Sequence, residues 1–302
     1  MLNGVIIIKK EKGFTSHDVV AKLRGILRQK KIGHTGTLDP EAEGVLPVCL
    51  GNATKLCDIL TDKKKEYVAK LLLGVSTDTQ DMTGTVLQER PCTASEEEVR
   101  EAITSFLGKS MQVPPMYSAL KVNGKKLYEL AREGREVERA ARPVEIFELE
   151  ILSVDMPEVT FRVLCSKGTY IRTLCADIGE KLGCGGCMKS LNRTRVESFY
   201  IKDALTLSQV EQLRDAGRIE EFVIPVDAIF SDLSKITIRQ DAAFLLENGN
   251  TCRAELLQET VMPEDGERFL MYHSDGRFYG IYEYVKREEL FKPYKMFIPS
   301  VR

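Results

Sequence analysis

No stretch of this 302-residue sequence approaches the roughly 18 consecutive apolar residues that a membrane-crossing helix requires. The opening segment, Met1 to Gly13, carries a short apolar run with its lysines behind it, so a secretory leader is not expected. Only three histidines are present, His17, His34 and His273, scattered along the chain, which argues against a zinc centre or a histidine-based triad. There is no G-x-G-x-x-G or phosphate-loop pattern, no internal repeat and no low-complexity tract. Eight irregularly spaced cysteines without a leader point to reduced thiols in a cytoplasmic protein. One C-x-x-C run, Cys184 to Cys187, has no second pair or nearby histidine to complete a metal site, so no metal is expected.

A net charge of −2 reads poorly for a nucleic-acid binder until its distribution is followed. Met1 to Pro40 holds eight basic residues against three acidic ones, and Arg162 to Arg195 seven against two. Asp203 to the end holds twelve against eighteen. Basic surface concentrated in two segments is what phosphate neutralisation uses, although charge runs are also commonly solvated helix faces.

Val5-Ile6-Ile7-Ile8 reads as a buried strand. Ser16 is the expected N-cap of a helix that aligns Val19, Val20, Leu23, Ile26 and Leu27. Glu66 to Leu73 alternates, with Tyr67, Ala69, Leu71 and Leu73 on one side. Ser95 to Glu98 is a capping box for a helix ending near Gly108. A charged, protruding segment carries a short helix over Lys125 to Glu133. Strands are expected at Val144 to Val154 and Val159 to Ser166, then a helix from Thr169 to Leu182 closed by Gly183. Leu205, Leu207, Val210 and Leu213 share helical spacing, and Ile236 to Phe297 reads as short strands between turns. The mixture without a regular βαβ rhythm gives an α+β class with a mixed, mostly antiparallel sheet.

The richest run is Lys31 to Pro40. A proline after Asp39 biases that aspartate toward extended or turn backbone, and Gly33 and Gly36 open conformations closed to other residues. The loop can aim one acid outward beside His34, but the same residues make ordinary surface turns. GHTGTLDPEAEGVLPVCLGNATKL (33–56), KKEYVAKLLLGVSTDTQDMTG (64–84), QVPPMYSALKVNGKKLYELAREG (112–134) and CSKGTYIRTLCADIGEKLG (165–183) follow one another. In content and order these blocks resemble the TruB family of tRNA pseudouridine synthases, strongly from about Gly4 to Phe199 and weakly beyond.

The resemblance implies a pseudouridine synthase catalytic domain over 1–228, with 113–143 as an RNA-clamping insertion, and a small PUA-like β domain over 229–302. It implies isomerisation of uridine to pseudouridine at position 55 in the T loop of tRNA, by a stand-alone enzyme needing no cofactor and no protein partner. The N1–C1′ bond breaks and a C5–C1′ bond forms with no net redox change. Asp39 takes the position of the essential aspartate, whether it attacks covalently or removes a ribose proton. Arg172 matches the arginine that pairs with it, Tyr67 the tyrosine stacked on the target base, Tyr170 a second pocket aromatic and Leu191 an apolar wall. His34 matches a histidine that helps hold the base out of the RNA stack. Lys10, Lys31, Lys121, Lys125, Lys126, Arg132 and Arg193 are the expected RNA contacts. One rival is a non-catalytic tRNA-binding chaperone of the same fold; another is a relative guided by small RNA inside a multi-protein particle. The sequence departs from the family at Val196-Glu197-Ser198-Phe199, where a glycine usually precedes the Phe, leaving the shape of that turn open.

Overall fold

β-Branched Val5 to Ile8 form the middle of β1 (Gly4–Lys10), buried on both faces. The computed structural model describes residues 1–122 and 124–298, so Asn123 of the 113–143 segment and the last four residues of the 229–302 unit lie outside the described residues. After β1 come α1 (Ser16–Ile26), β2 (Ile32–His34), β3 (Glu43–Leu50), α2 (Cys57–Thr61), β4 (Lys65–Leu73), β5 (Val75–Thr77) and β6 (Val86–Glu89). The middle of the chain adds α3 (Glu96–Thr104), β7 (Gly108–Gln112), β8 (Lys121–Val122), β9 (Lys125–Lys126), α4 (Leu127–Arg132), β10 (Arg142–Asp155) and β11 (Glu158–Cys165). Then follow α5 (Ile171–Lys181), β12 (Gly186–Val196), β13 (Phe199–Tyr200), α6 (Leu207–Asp215) and α7 (Val226–Ile229). The last stretch holds β14 (Ser234–Thr237), α8 (Phe244–Glu247), β15 (Arg268–Tyr272), β16 (Phe278–Val285) and β17 (Leu290–Met296).

The nine-stranded main sheet runs β1-β3-β12-β4-β11-β10-β7, with β2 beside β3 and β13 beside β12. Its pairs are antiparallel except β3 with β12, where Asn192 faces Glu43 and Arg193 faces Gly44. The class is therefore α+β with a mixed, mostly antiparallel sheet, followed by a four-stranded C-terminal β domain ordered β14-β15-β16-β17. Gly44, at φ +114°, makes the parallel seam possible: a Cβ there would lie 2.2 Å from the Arg193 carbonyl oxygen.

Two helical layers cover the sheet. The inward side of β4, from Tyr67 to Leu73, packs with Phe161, Val163, Ile171, Leu174 and Ile178 under α3 and α5. Ile6, Ile8, Leu46 and Val48 meet Val19, Val20 and Leu23 of α1 and Val210 of α6. The other face of β1 and β3 packs against Leu270, Ile281 and Phe297, seating the C-terminal domain. No described helix is long and apolar enough to cross a membrane.

Local expectations need three corrections, and the turn left open takes a shape. Thr15 rather than Ser16 caps α1, because Asp18 three residues on closes a capping box with it. The Ser16 hydroxyl instead accepts the Leu38 N–H at 2.9 Å. Helix α3 keeps its Ser95–Glu98 box but stops at Thr104, and Gly108 opens β7 at φ +95°. Lys125 and Lys126 form half of a small hairpin, so the short helix covers only Leu127–Arg132, and its buried Leu127 and Leu130 anchor the segment against the body. Glu197 takes the turn position itself, at φ +50°.

Candidate active site

Asp39 stands on the loop between β2 and β3, and two buried cations hold that loop. Lys10, at the end of β1, donates from Nζ to the carbonyl oxygens of Ala42 (2.6 Å), Pro40 (3.0 Å) and Glu11 (3.0 Å). Arg193 of β12 donates from Nε to Val45 O at 2.7 Å and through its two terminal nitrogens to Gly36 O and Thr37 O at 3.3 and 3.4 Å. Neither residue is exposed. Both were expected to contact RNA; the structure instead buries them, with their donors directed at backbone carbonyls in and around this loop. Burial lowers Lys10 to about 8, while Asp39, Glu43 and Glu41 oppose that loss of charge.

The first turn of α5 supplies the partner of the acid. Gln112 fixes the start of this helix by accepting the Tyr170 N–H (2.8 Å) and donating to the Tyr170 carbonyl (3.0 Å). Arg172 then reaches Asp39 Oδ2 through Nε at 3.0 Å, with Nη1 3.6 Å from Asp81 Oδ2. Its remaining donors meet Thr79 O and Tyr117 O at 3.0 and 2.7 Å. Asp81 is held in turn by Thr79 Oγ1 and by the N–H and hydroxyl of Thr83, at 2.6 to 2.9 Å. Burial raises the Asp39 carboxyl above its ordinary range; Arg172 and Lys10 pull it back and Asp81 pushes it further up. Sequence reasoning missed Asp81, although it lies in the 64–84 block as the second acid of Asp78-Thr79-Gln80-Asp81.

Asp39 opens into a cleft of about 1380 Å³ that is also lined by His34, Tyr67, Tyr170, Arg172 and Leu191, so the structure gathers these candidates in one place. Tyr67 lies at the base of the cleft beside the Arg193 guanidinium, and burial pushes its phenol up to about 12 despite that cation. Burial also raises Tyr170. His34 is pushed down by burial and by Arg193, which favours a neutral imidazole, and its buried Nδ1 has no partner among the described residues. Residues Tyr117 to Leu120, Lys126, Tyr128 and Arg132 of the 113–143 segment form one wall. There Lys126 and Arg132 flank the Tyr128 ring at 5.3 and 5.4 Å. Lys31, Lys121 and Lys125 are exposed but do not line the cleft, whereas Arg142 and Lys167, not singled out in the sequence, do. The two thiols of the C-x-x-C run face different neighbours, Cys184 the Gly185 carbonyl and Cys187 the Met82 sulfur. Among the described residues no group of three or more His, Cys, Asp or Glu side chains could hold a metal ion.

This arrangement offers an ionisable acid locked to a guanidinium, in a cleft that aromatic and apolar side chains also line. The chain has sequence relatives over nearly its whole length. The family model for the "TruB family pseudouridylate synthase (N terminal domain)" matches residues 24–171, and that for the "tRNA pseudouridylate synthase B C-terminal domain" matches 172–231. The chain is 50% identical to tRNA pseudouridine synthase B of Lachnoclostridium phytofermentans, over 98% of this chain and all of that one. With the enzyme of the same name from Clostridium tetani it shares 44% identity over the same proportions. Among solved structures, a Cbf5-Nop10-Gar1 complex superposes at a TM-score of 0.72 and 26% identity, covering 98% of this chain and 85% of that one. An H/ACA RNP bound to a substrate RNA containing 2′-deoxyuridine gives 0.71 and 25% over the same proportions.

Proposed function

Because the chain belongs to the TruB family of pseudouridylate synthases, we propose that Asp39, held by Arg172, carries out the isomerisation of uridine to pseudouridine in the T loop of tRNA, at position 55. The chain is a tRNA pseudouridine synthase, as its relatives are named. The observation that carries the assignment of the site is the 3.0 Å ion pair between Asp39 and Arg172 at the open floor of the cleft.

The reaction needs a carboxylate beside the sugar, and the Arg172 guanidinium keeps Asp39 ionised and oriented for either covalent attack at C1′ or removal of a ribose proton. Once N1–C1′ is broken, the uracil must turn so that C5 meets C1′, inside a slot that keeps it from leaving. Tyr67 and Leu191 supply an aromatic face and an apolar wall for that turn. With its phenol near 12, Tyr67 is protonated at neutral pH, so it relays a proton at C5 instead of acting as a standing phenolate. His34, uncharged and half-buried at the rim, takes the place of the flipped base in the RNA stack.

The target reaches this site in a folded T arm recognised by shape and phosphates. The wall built from the 113–143 segment, with Lys126 and Arg132, clamps the arm, and the 229–302 unit acts as a PUA-like RNA-binding domain. The protein works alone in the cytoplasm. A non-catalytic chaperone of the same fold would have no need of an aspartate and arginine held this closely. The test is tritium release from 5-tritiated uridine in unmodified tRNA by the purified chain alone. Release by the native protein and none by Asp39→Ala is expected, and a requirement for guide RNA or protein partners would overturn the stand-alone reading.

A further inference from the structure

Cys49 and Cys57 lie outside both the cleft and the C-x-x-C run, yet the fold brings them together behind the catalytic loop. Gly33 and Cys49 are directly opposed across the antiparallel β2–β3 pair. Opposed residues point their side chains to one face, with Cβ positions about 5 Å apart. Gly33 has no side chain there, and a Cβ built on it would meet the Cys57 sulfur at 3.0 Å. The Cys57 thiol therefore occupies the space next to Cys49 that any larger residue at 33 would fill. Cys49 is fully buried, whereas Cys57, the first residue of α2, is partly open to solvent.

The two thiols are chemically unequal. Cys57 packs against the cluster that holds Cys49; the neighbouring Cys49 thiol holds the Cys57 thiol below its usual range, while Cys57 and burial push Cys49 up. Burial alone raises Cys252 to about 12, so that thiol keeps its proton. A thiol with more thiolate character on a partly exposed residue is the one an oxidant reaches first, and an adjacent buried thiol is placed to resolve the product.

We propose that Cys57 and Cys49 form an oxidation site, in which a hydroperoxide oxidises Cys57 and Cys49 then closes a disulfide beneath Gly33. In the first step the Cys57 thiolate attacks one peroxide oxygen and the O–O bond breaks. The departing oxygen leaves as water once protonated, and Cys57 becomes a sulfenic acid. In the second step the Cys49 sulfur attacks the Cys57 sulfur, the S–O bond breaks, and the hydroxyl leaves as water with the Cys49 proton. Two thiols and one hydrogen peroxide become one disulfide and two waters. The bridge ties β3 to α2 directly under the residue that precedes His34.

The experiment treats reduced, purified protein with hydrogen peroxide, alkylates the remaining thiols and maps disulfides by peptide mass. The expected result is a Cys49–Cys57 linked peptide, loss of two of the eight free thiols and full reversal by dithiothreitol. In Cys49→Ser, dimedone is expected to trap a sulfenic acid on Cys57, and Cys57→Ser should form no bridge. The proposal is overturned if the native chain keeps Cys49 and Cys57 fully alkylatable, or if either one bridges to another cysteine. Mapping of the native chain decides the matter even where a serine variant folds poorly.

Discussion

Arg172 meets Asp39 with its Nε only, 3.0 Å from Oδ2, because its two terminal nitrogens are committed to the carbonyls of Thr79 and Tyr117. The guanidinium cannot swing away from the acid without breaking those bonds. It works as a fixed wedge between the β5–β6 loop, the 113–143 wall and the loop that carries Asp39.

A lysine at this position would carry the charge but could not serve the acid and both carbonyls from one point. Arg172→Lys should therefore lower kcat by about 100-fold, the scale of a 1 Å misplacement at a reacting centre. Affinity for tRNA should change little. Single-turnover tritium release beside filter binding separates the two.

Acid inactivation should report the environment of Asp39. Burial raises its carboxyl, Arg172 lowers it and Asp81 raises it. In the proposed role of Asp39 the ionised acid is the working form, so activity is complete above the folded pKa and is lost as pH falls through it. Arg172→Gln should move this acid limb to higher pH, and Asp81→Asn should move it to lower pH. Profiles of kcat/KM that shift in the same direction for both variants would contradict the assignment.

Salt dependence should sort the basic residues. Replacing a phosphate contact reduces the slope of log affinity against log salt by about 1. Lys126→Ala and Arg132→Ala, on the cleft wall, are expected to do so. Lys10→Met and Arg193→Met, whose donors go to loop carbonyls, should leave the slope intact and instead destabilise the chain by about 3 kcal/mol as buried carbonyls lose their donors. Filter binding across a salt series, with urea unfolding, gives both numbers.

This contrast marks the limit of what the sequence made legible. Alternation exposed β4 and the inward side of Tyr67, and Ser95 with Glu98 announced α3, because both are local patterns. The six candidates of the pocket took their roles from the resemblance, and the cleft gathers all of them. The fate of a lysine is not local: nothing near Lys10 or Arg193 says whether phosphates or buried carbonyls will receive their donors. Asp81 escaped for the same reason, since its meaning depends on an arginine supplied by a distant helix. Strand β12 was missed because irregularities at Met188/Ser190 and Arg193/Arg195 break its period of two.

His34→Ala should raise KM for tRNA about tenfold, since the side chain offsets part of the few kcal/mol that base flipping costs. Turnover at saturating RNA should stay close to native. Complete loss of turnover would give the histidine a chemical role that its neutral ring, with a buried Nδ1 lacking a partner among the described residues, does not suggest.

Glu197→Gly should stabilise the protein by about 0.5 to 1 kcal/mol, because a side chain at φ +50° carries a backbone strain that glycine avoids. The Lys63 partner of Glu197 is exposed and 3.9 Å away, so little is lost with the carboxylate. A higher urea midpoint at unchanged slope, with unaltered activity, is the expected outcome.

The seam at Gly44 has a consequence for how the enzyme comes into being. The loop bearing Asp39 is braced by Arg193, which lies 157 and 156 residues further along the chain than the Gly36 and Thr37 carbonyls it grips. During synthesis, the segment from β1 to β3 is complete long before that brace exists. A ribosome-bound chain ending short of Val196 thus has its acid but no cleft to present it in. Catalytic competence should appear late and abruptly, when β12 slots between β3 and β4 and joins the β1–β3 side of the sheet to the β4–β11–β10–β7 side.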